Sequence, residues 1–121
     1  MSVPVDLSRL AEKIEGRGPS AYLMTGAGEG PPRISHVEIE VTDGSLSCLV
    51  GQRAASNIGE HPSVSLLWPA RTLDDHNLIV DATATFSAGT ATITPTFAVL
   101  HRNAAADTDC GSDCLALDQQ L

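Results

Sequence analysis

Large aromatic side chains are scarce in this chain of 121 residues: they make up 3% of it, and Tyr22, Trp68, Phe86 and Phe97 are all of them. Hydrophobic residues still reach 42%, so a core must be assembled from Val, Ile, Leu and Ala. Such a core is thin. One domain's worth of chain buries roughly two thirds of its unfolded surface, and with so few rings a subunit interface is expected to add to that burial. Positive charge is scarce too. Seven Lys and Arg face fifteen Asp and Glu, a formal charge of -8, and the cations stand singly at Arg9, Lys13, Arg17, Arg33, Arg53, Arg71 and Arg102. A phosphate-backbone binder needs clustered cations, so the composition argues against nucleic acid, and the missing basic stripe argues against an anionic membrane surface.

Long apolar runs are absent as well. No window approaches the roughly eighteen residues that cross a bilayer, and residues 1–13 lack the positive segment and apolar run of a secretory signal. A cytoplasmic protein is expected. Cysteine is rare and odd in number, at Cys48, Cys110 and Cys114, which suits no secreted disulfide framework. Cys48 reads as a small core residue. Residues 104–121 are small and acidic, with Asp107, Asp109, Asp113 and Asp118 and no basic partner; the expected division is a folded domain over 1–103 and a flexible acidic tail.

What is present is mostly strand pattern. Asp6 precedes Leu7, Leu10, Ala11 and Ile14, which predicts a short capped helix ended by residues 16–19. Residues 21–25 form a short strand that stops at a glycine- and proline-rich loop over 26–32. Alternation over 33–42 places Val37, Ile39 and Val41 on one face, Asp43-Gly44 is a hairpin signal, and residues 45–51 align Leu46, Cys48 and Val50 as the returning arm. Residues 53–60 lack strand character and predict a second short helix, closed by His61-Pro62. Residues 63–68 return to strand. Two long strands, 77–87 and 90–101, flank Ala88-Gly89, with Leu78, Val80, Ala82, Ala84 and Phe86 in register on the first and Ala91, Ile93, Phe97 and Val99 on the second; Pro95 signals an edge or a bulge. The sum is six strands and two short helices joined by short connections, a mainly β, antiparallel sheet closed as a barrel.

Few constellations carry chemistry. Gly26, Gly28 and Gly30 run into Pro31-Pro32 and a strand, not into the helix that a phosphate loop requires, so a plain turn is the better account. His36, His61, His76 and His101 lack the spacing of a helix-borne zinc site. Cys110 and Cys114, with His101 upstream, have no clear fourth ligand, and no nucleophile elbow presents a serine. One junction stands out. Residues 51–62 begin with Arg53 where a strand passes into a helix, and free amides plus a guanidinium make an anion site, with Gln52 and Ser56 as neutral donors. On spacing alone, a solvated surface arginine is the simpler account.

The run Ala21-Tyr22-Leu23-Met24-Thr25, then Pro32-Arg33-Ile34-Ser35-His36-Val37, Asp43-Gly44, Gly51-Gln52-Arg53, Asn57-Ile58 and His61-Pro62-Ser63-Val64-Ser65-Leu66-Leu67-Trp68-Pro69 resembles the pyridoxamine 5'-phosphate oxidase-like flavin-binding split barrels. The resemblance covers about residues 21–102. It implies a six-stranded antiparallel split β-barrel and a homodimer holding FMN at the subunit interface. Arg53 matches the arginine of an Arg-Lys pair that grips the flavin phosphate in that family, and Ala54 stands where the lysine would be. Arg33 matches a second phosphate-binding arginine. His76 falls where a glutamine touches the flavin, Ser35, His36 and Val37 lie on the segment that would line the isoalloxazine ring, and Trp68 would pack near it or in the core.

The resemblance also has limits of substrate. The true oxidases hold pyridoxal phosphate with a basic, aromatic C-terminal extension, and this chain offers an acidic one, so it is not expected to be a pyridoxamine phosphate oxidase. A deazaflavin with an oligoglutamate tail is the alternative cofactor, but it wants a basic groove. The expected function is an FMN-binding oxidoreductase that passes electrons from a reduced nicotinamide to a small-molecule substrate. The alternatives are a deazaflavin-dependent reductase and a flavin-binding or empty barrel without turnover.

Overall fold

The computed structural model describes residues 2–72 and 74–102; the expected tail, with Cys110 and Cys114, lies outside the described residues. The strands are β1 (Ser2–Pro4), β2 (Ser20–Thr25), β3 (Arg33–Glu38), β4 (Glu40–Thr42), β5 (Ser45–Leu49), β6 (Ser63–Trp68), β7 (His76–Ser87) and β8 (Thr90–Arg102), with helices α1 (Leu10–Glu15) and α2 (Gln52–Glu60). All strand pairs are antiparallel, in the order β3-β2-β6-β7-β8-β5-β4, and β1 adds to β8. The class is the expected one, but the described residues form eight strands where six were expected. β1 is only three residues long, too short for an alternation to register.

The other added strand explains how the sheet curls. Residues 33–42 were expected as one strand pairing with 45–51. Instead the chain breaks at Ile39, whose N–H donates to the Pro19 carbonyl at 2.8 Å, so β3 pairs with β2 and β4 with β5. One stretch of chain thus supplies both ends of the sheet order. β3 and β4 cannot pair with each other, which leaves the barrel split along β3 and the end of β5.

Local chemistry accounts for the connections. The Asp6 carboxylate accepts from the Ser8 N–H at 3.0 Å and from the Ser8 hydroxyl at 2.9 Å, and starts a 3-10 turn, Leu7–Arg9, that leads into α1. Those two bonds, the backbone one first, hold the Asp6 carboxyl below the usual carboxylate range. Asp43 and Gly44 both have positive φ, as do Ala88 and Gly89, the backbone of a two-residue hairpin turn whose twist matches its strands. Pro95 does mark a bulge: Asp81 faces Phe97 while Ala82 faces Pro95, leaving Thr96 over. That extra residue reverses the face of everything beyond it. Phe97 and Val99 were expected to share a face with Ala91 and Ile93. In the structure Ala98 is buried with them and Phe97 is 51% exposed.

The core therefore contains one large ring. Trp68 is 1% exposed, among Leu23, Leu66, Leu78, Val80 and Ile93, and its Nε1 donates to the Gly18 carbonyl at 3.1 Å. Tyr22, Phe86 and Phe97 all remain on the surface. Leu10 and Ile14 of α1 and Ile58 of α2 join the core. The helices serve opposite ends of the barrel. α2 spans from the end of β5 to the start of β6, and Asn57 donates to the buried Thr25 hydroxyl at 3.1 Å. α1 lies between β1, paired to the last residues of β8, and the start of β2.

Candidate functional site

The split has chemical consequences because strand edges carry unpaired amides. Among the described residues β3 ends the sheet order and pairs only with β2. On β5, Cys48 and Leu49 pair with β8, but the pairing with β4 stops at Ser47, so their other side has no strand partner among the described residues. Between these two open edges lies a slot of about 530 Å³, lined by Pro19, His36, Val37, Glu38, Ile39, Glu40, Ser47, Cys48, Leu49 and Thr90. Backbone N–H and C=O groups left unpaired by a ladder are obligatory hydrogen-bonding groups. A slot of this volume falls in the ordinary range for small-molecule sites, roughly 300–1,000 Å³.

Four residues beyond Leu49, the chain reaches Arg53 in the first turn of α2. Gly51 caps that helix without a side-chain hydrogen bond, so its first N–H groups have no partner from the cap, and they and the helix dipole favour an anion. Gln52, Arg53 and Ser56 are exposed there. Arg33 opens β3 opposite Thr25, the residue that binds Asn57 one turn further along α2. Both arginines thus sit at the α2 end. Elsewhere Arg9 pairs with Glu12 and Arg17 with Asp75, whereas Arg33 and Arg53 make no ion pair among the described residues.

Not every expected contact residue is gathered here. Strand alternation divides the triplet on β3: His36 points outward, while Ser35 is half-buried and Val37 is in the core, although Val37 and His36 both border the slot. Trp68 takes the core position, which removes its ring from any ligand. His76 opens β7 at the end remote from α2. Ser87 lies eleven positions further on, about 35 Å of extended strand, so within one chain His76 is kept away from Arg53. Its N–H donates to Asp75, and that bond, ahead of Arg71 and Arg17, holds the Asp75 carboxyl below the range of a free side chain.

The structure adds residues that spacing did not select. Ala54 is buried against the core, so the place of the family's lysine is packed inward. Glu38 and Glu40 border the slot and make it acidic. Cys48 is buried with its thiol pKa pushed up to about 11 by desolvation, an inert wall in place of a nucleophile. Ser20 hydrogen-bonds His36 Nε2, and the Tyr22 ring stacks on the imidazole at 5.1 Å between centroids, 29° between planes.

The sheet's outer face is apolar over several strands. Tyr22, Met24, Ile34 and Phe97 are exposed, and cross-strand register continues the band from Tyr22 through Leu67 and Ile79 to Val99. A groove of about 440 Å³ crosses it beside Met24, Val64 and Thr96. The carboxylate in that groove, Asp81, accepts from Ser65 Oγ at 2.9 Å.

No protein-family model matches the chain, and no curated protein matches it. Solved structures do. A pyridoxamine 5'-phosphate oxidase-like protein of Listeria innocua superposes with a TM-score of 0.67 at 11% identity, over 81% of this chain and 100% of that one. The FAD-binding protein from Mycobacterium smegmatis gives 0.61 at 9%, over 84% and 100%. A pyridoxamine 5'-phosphate oxidase-like protein of Corynebacterium glutamicum gives 0.63 at 9%, over 83% and 97%. With the split between β3 and β5 and the helix that follows it, the chain has the fold of the pyridoxamine 5'-phosphate oxidase-like split barrels.

Proposed function

We propose that this protein binds FMN as a homodimer and passes electrons from a reduced nicotinamide to a small acceptor. The observation that carries the reading is the slot itself: two strand edges, open among the described residues, border it, and four positions beyond Leu49 on its wall comes a helix start, without a side-chain cap, that bears Arg53. A planar ring with donors and acceptors along one edge suits open strand edges. A phosphate suits the helix start, with Arg53, Gln52 and Ser56 as donors and Arg33 at the same end of the barrel. The residues present therefore fit a flavin mononucleotide. A deazaflavin with a polyanionic tail suits the slot less well, because Glu38 and Glu40 border it.

A bound flavin supplies the hydride and electron chemistry, and the protein's share is to hold the ring, exclude water and supply protons. The exposed band of Tyr22, Met24, Ile34 and Phe97 supports the dimer. Contiguous apolar surface of this kind marks an interaction site, and the thin core leaves burial to be gained there.

The test is a visible spectrum of the full chain after incubation with FMN and gel filtration. The expected result is a yellow protein at twice 12.6 kDa, bleached by NADH. A yellow protein inert to donors would make it a flavin carrier without turnover, and a colourless one would overturn the proposal.

A further inference from the structure

We infer that His36 is the proton donor at the slot, held in place by Ser20 and Tyr22; this rests on the flavin reading above. His36 borders the slot, and its ring is fixed from two sides. Ser20 Oγ holds Nε2, and Tyr22 stacks on its face. Nδ1 has no hydrogen-bond partner among the described residues. An imidazole pinned through one nitrogen and free at the other is arranged to give a proton in a set direction.

The groups that face it leave the task to this ring. From β2 come Ser20 and Tyr22, along its own strand Glu38, and past the bend Glu40. Across the slot stand Ser47, Cys48, Leu49 and Thr90. Serine and threonine hydroxyls do not ionise near neutrality, and the Cys48 thiol is pushed up to about 11 by burial. Imidazole is the side chain whose ordinary proton exchange falls near neutral pH. The two glutamates border the slot and disfavour an anionic acceptor, so a neutral, planar one such as a quinone is the fitting class.

The step balances with the donor already proposed. A quinone becomes a hydroquinone by gaining one hydride and one proton. The hydride derives from the reduced nicotinamide by way of the flavin. The proton leaves Nδ1 of the imidazolium, its N–H bond breaking as an O–H bond forms on the acceptor, and the neutral ring is then reprotonated from water.

The test uses the full chain loaded with FMN, with FMN binding measured in the same samples. Long-range ¹H–¹⁵N correlation spectra of the histidines report the ring directly. Adding FMN should shift the His36 signals and their titration midpoint, while His101, bound to Ser2 at 2.9 Å, stays still. In reoxidation of the reduced protein by menadione, His36→Gln should lose about 100-fold in rate, within the usual range for a general acid, and should flatten the pH profile. Ser20→Ala should keep the pH limb and move its midpoint. If FMN binds but the His36 signals do not move, or if His36→Gln keeps the limb, the inference is wrong and the flavin reading stands. If no FMN binds, the flavin reading fails and takes this one with it.

Discussion

Replacing Arg53 by alanine removes one guanidinium and little else. Arg53 is exposed, lies in the first turn of a nine-residue helix and makes no ion pair among the described residues. Alanine is the best helix former, so α2 should persist, and Ala54 and Ile58 should keep their buried places. Fold stability should change by no more than about 0.5 kcal/mol, as for a surface site without special contacts. The whole effect then falls on the ligand. A hydrogen bond to a charged group contributes about 1.5 to 3 kcal/mol, which corresponds to about 10- to 100-fold in the dissociation constant of FMN.

Quenching of flavin fluorescence, titrated with wild type and Arg53→Ala at equal salt, measures that ratio. Riboflavin, which has no phosphate, provides the control and should bind both proteins alike. An unchanged FMN constant at unchanged melting temperature would refute the placement of the phosphate. Ala54→Lys is the companion experiment. The position faces the core, so a lysine there must bury or displace a charge. It should lower the melting temperature and leave FMN affinity without the gain that a lysine on an exposed surface would bring.

Three further outcomes follow from the structure. Ala88 holds a φ of 52° in the β7–β8 turn, a conformation that disfavours a Cβ, so Ala88→Asn should stabilise by about 0.5 to 1 kcal/mol and raise the melting temperature by a few degrees, read by calorimetry. Cys48 binds its proton more tightly folded than unfolded, since its pKa rises from 9.0 to about 11; stability from this group is complete below pH 9 and declines toward pH 11. In a Cys110→Ser, Cys114→Ser background, urea midpoints should fall across that window, and less so in a variant that also carries Cys48→Ala. Phe97→Glu places a charge at the β8 end of the apolar outer band and should convert the proposed dimer to monomer by light scattering, with the strand content by circular dichroism unchanged.

How much of the molecule is legible in its sequence depends on how far along the chain each cause lies. The shared face of Leu78, Val80, Ala82 and Ala84, the turns at Asp43-Gly44 and Ala88-Gly89, the cap at Asp6 and the helix over residues 52–60 arise from neighbouring residues, and the sequence by itself determined them. The corner at Arg53 belongs with these, because a strand followed by a helix is a local event.

Other features needed the assembled sheet. The break at Ile39 comes where its N–H bonds to Pro19, twenty positions earlier, and both residues border the slot. Thr96 is surplus only because Asp81 and Ala82 on the facing strand set the register, and that bulge decides that Phe97 points to solvent and Ala98 inward. Trp68 and Ala54 turned to the core for the same reason: a side chain's face is assigned by what packs across from it. Periodicity names the residues that share a face, and only the closed sheet says which face is inside.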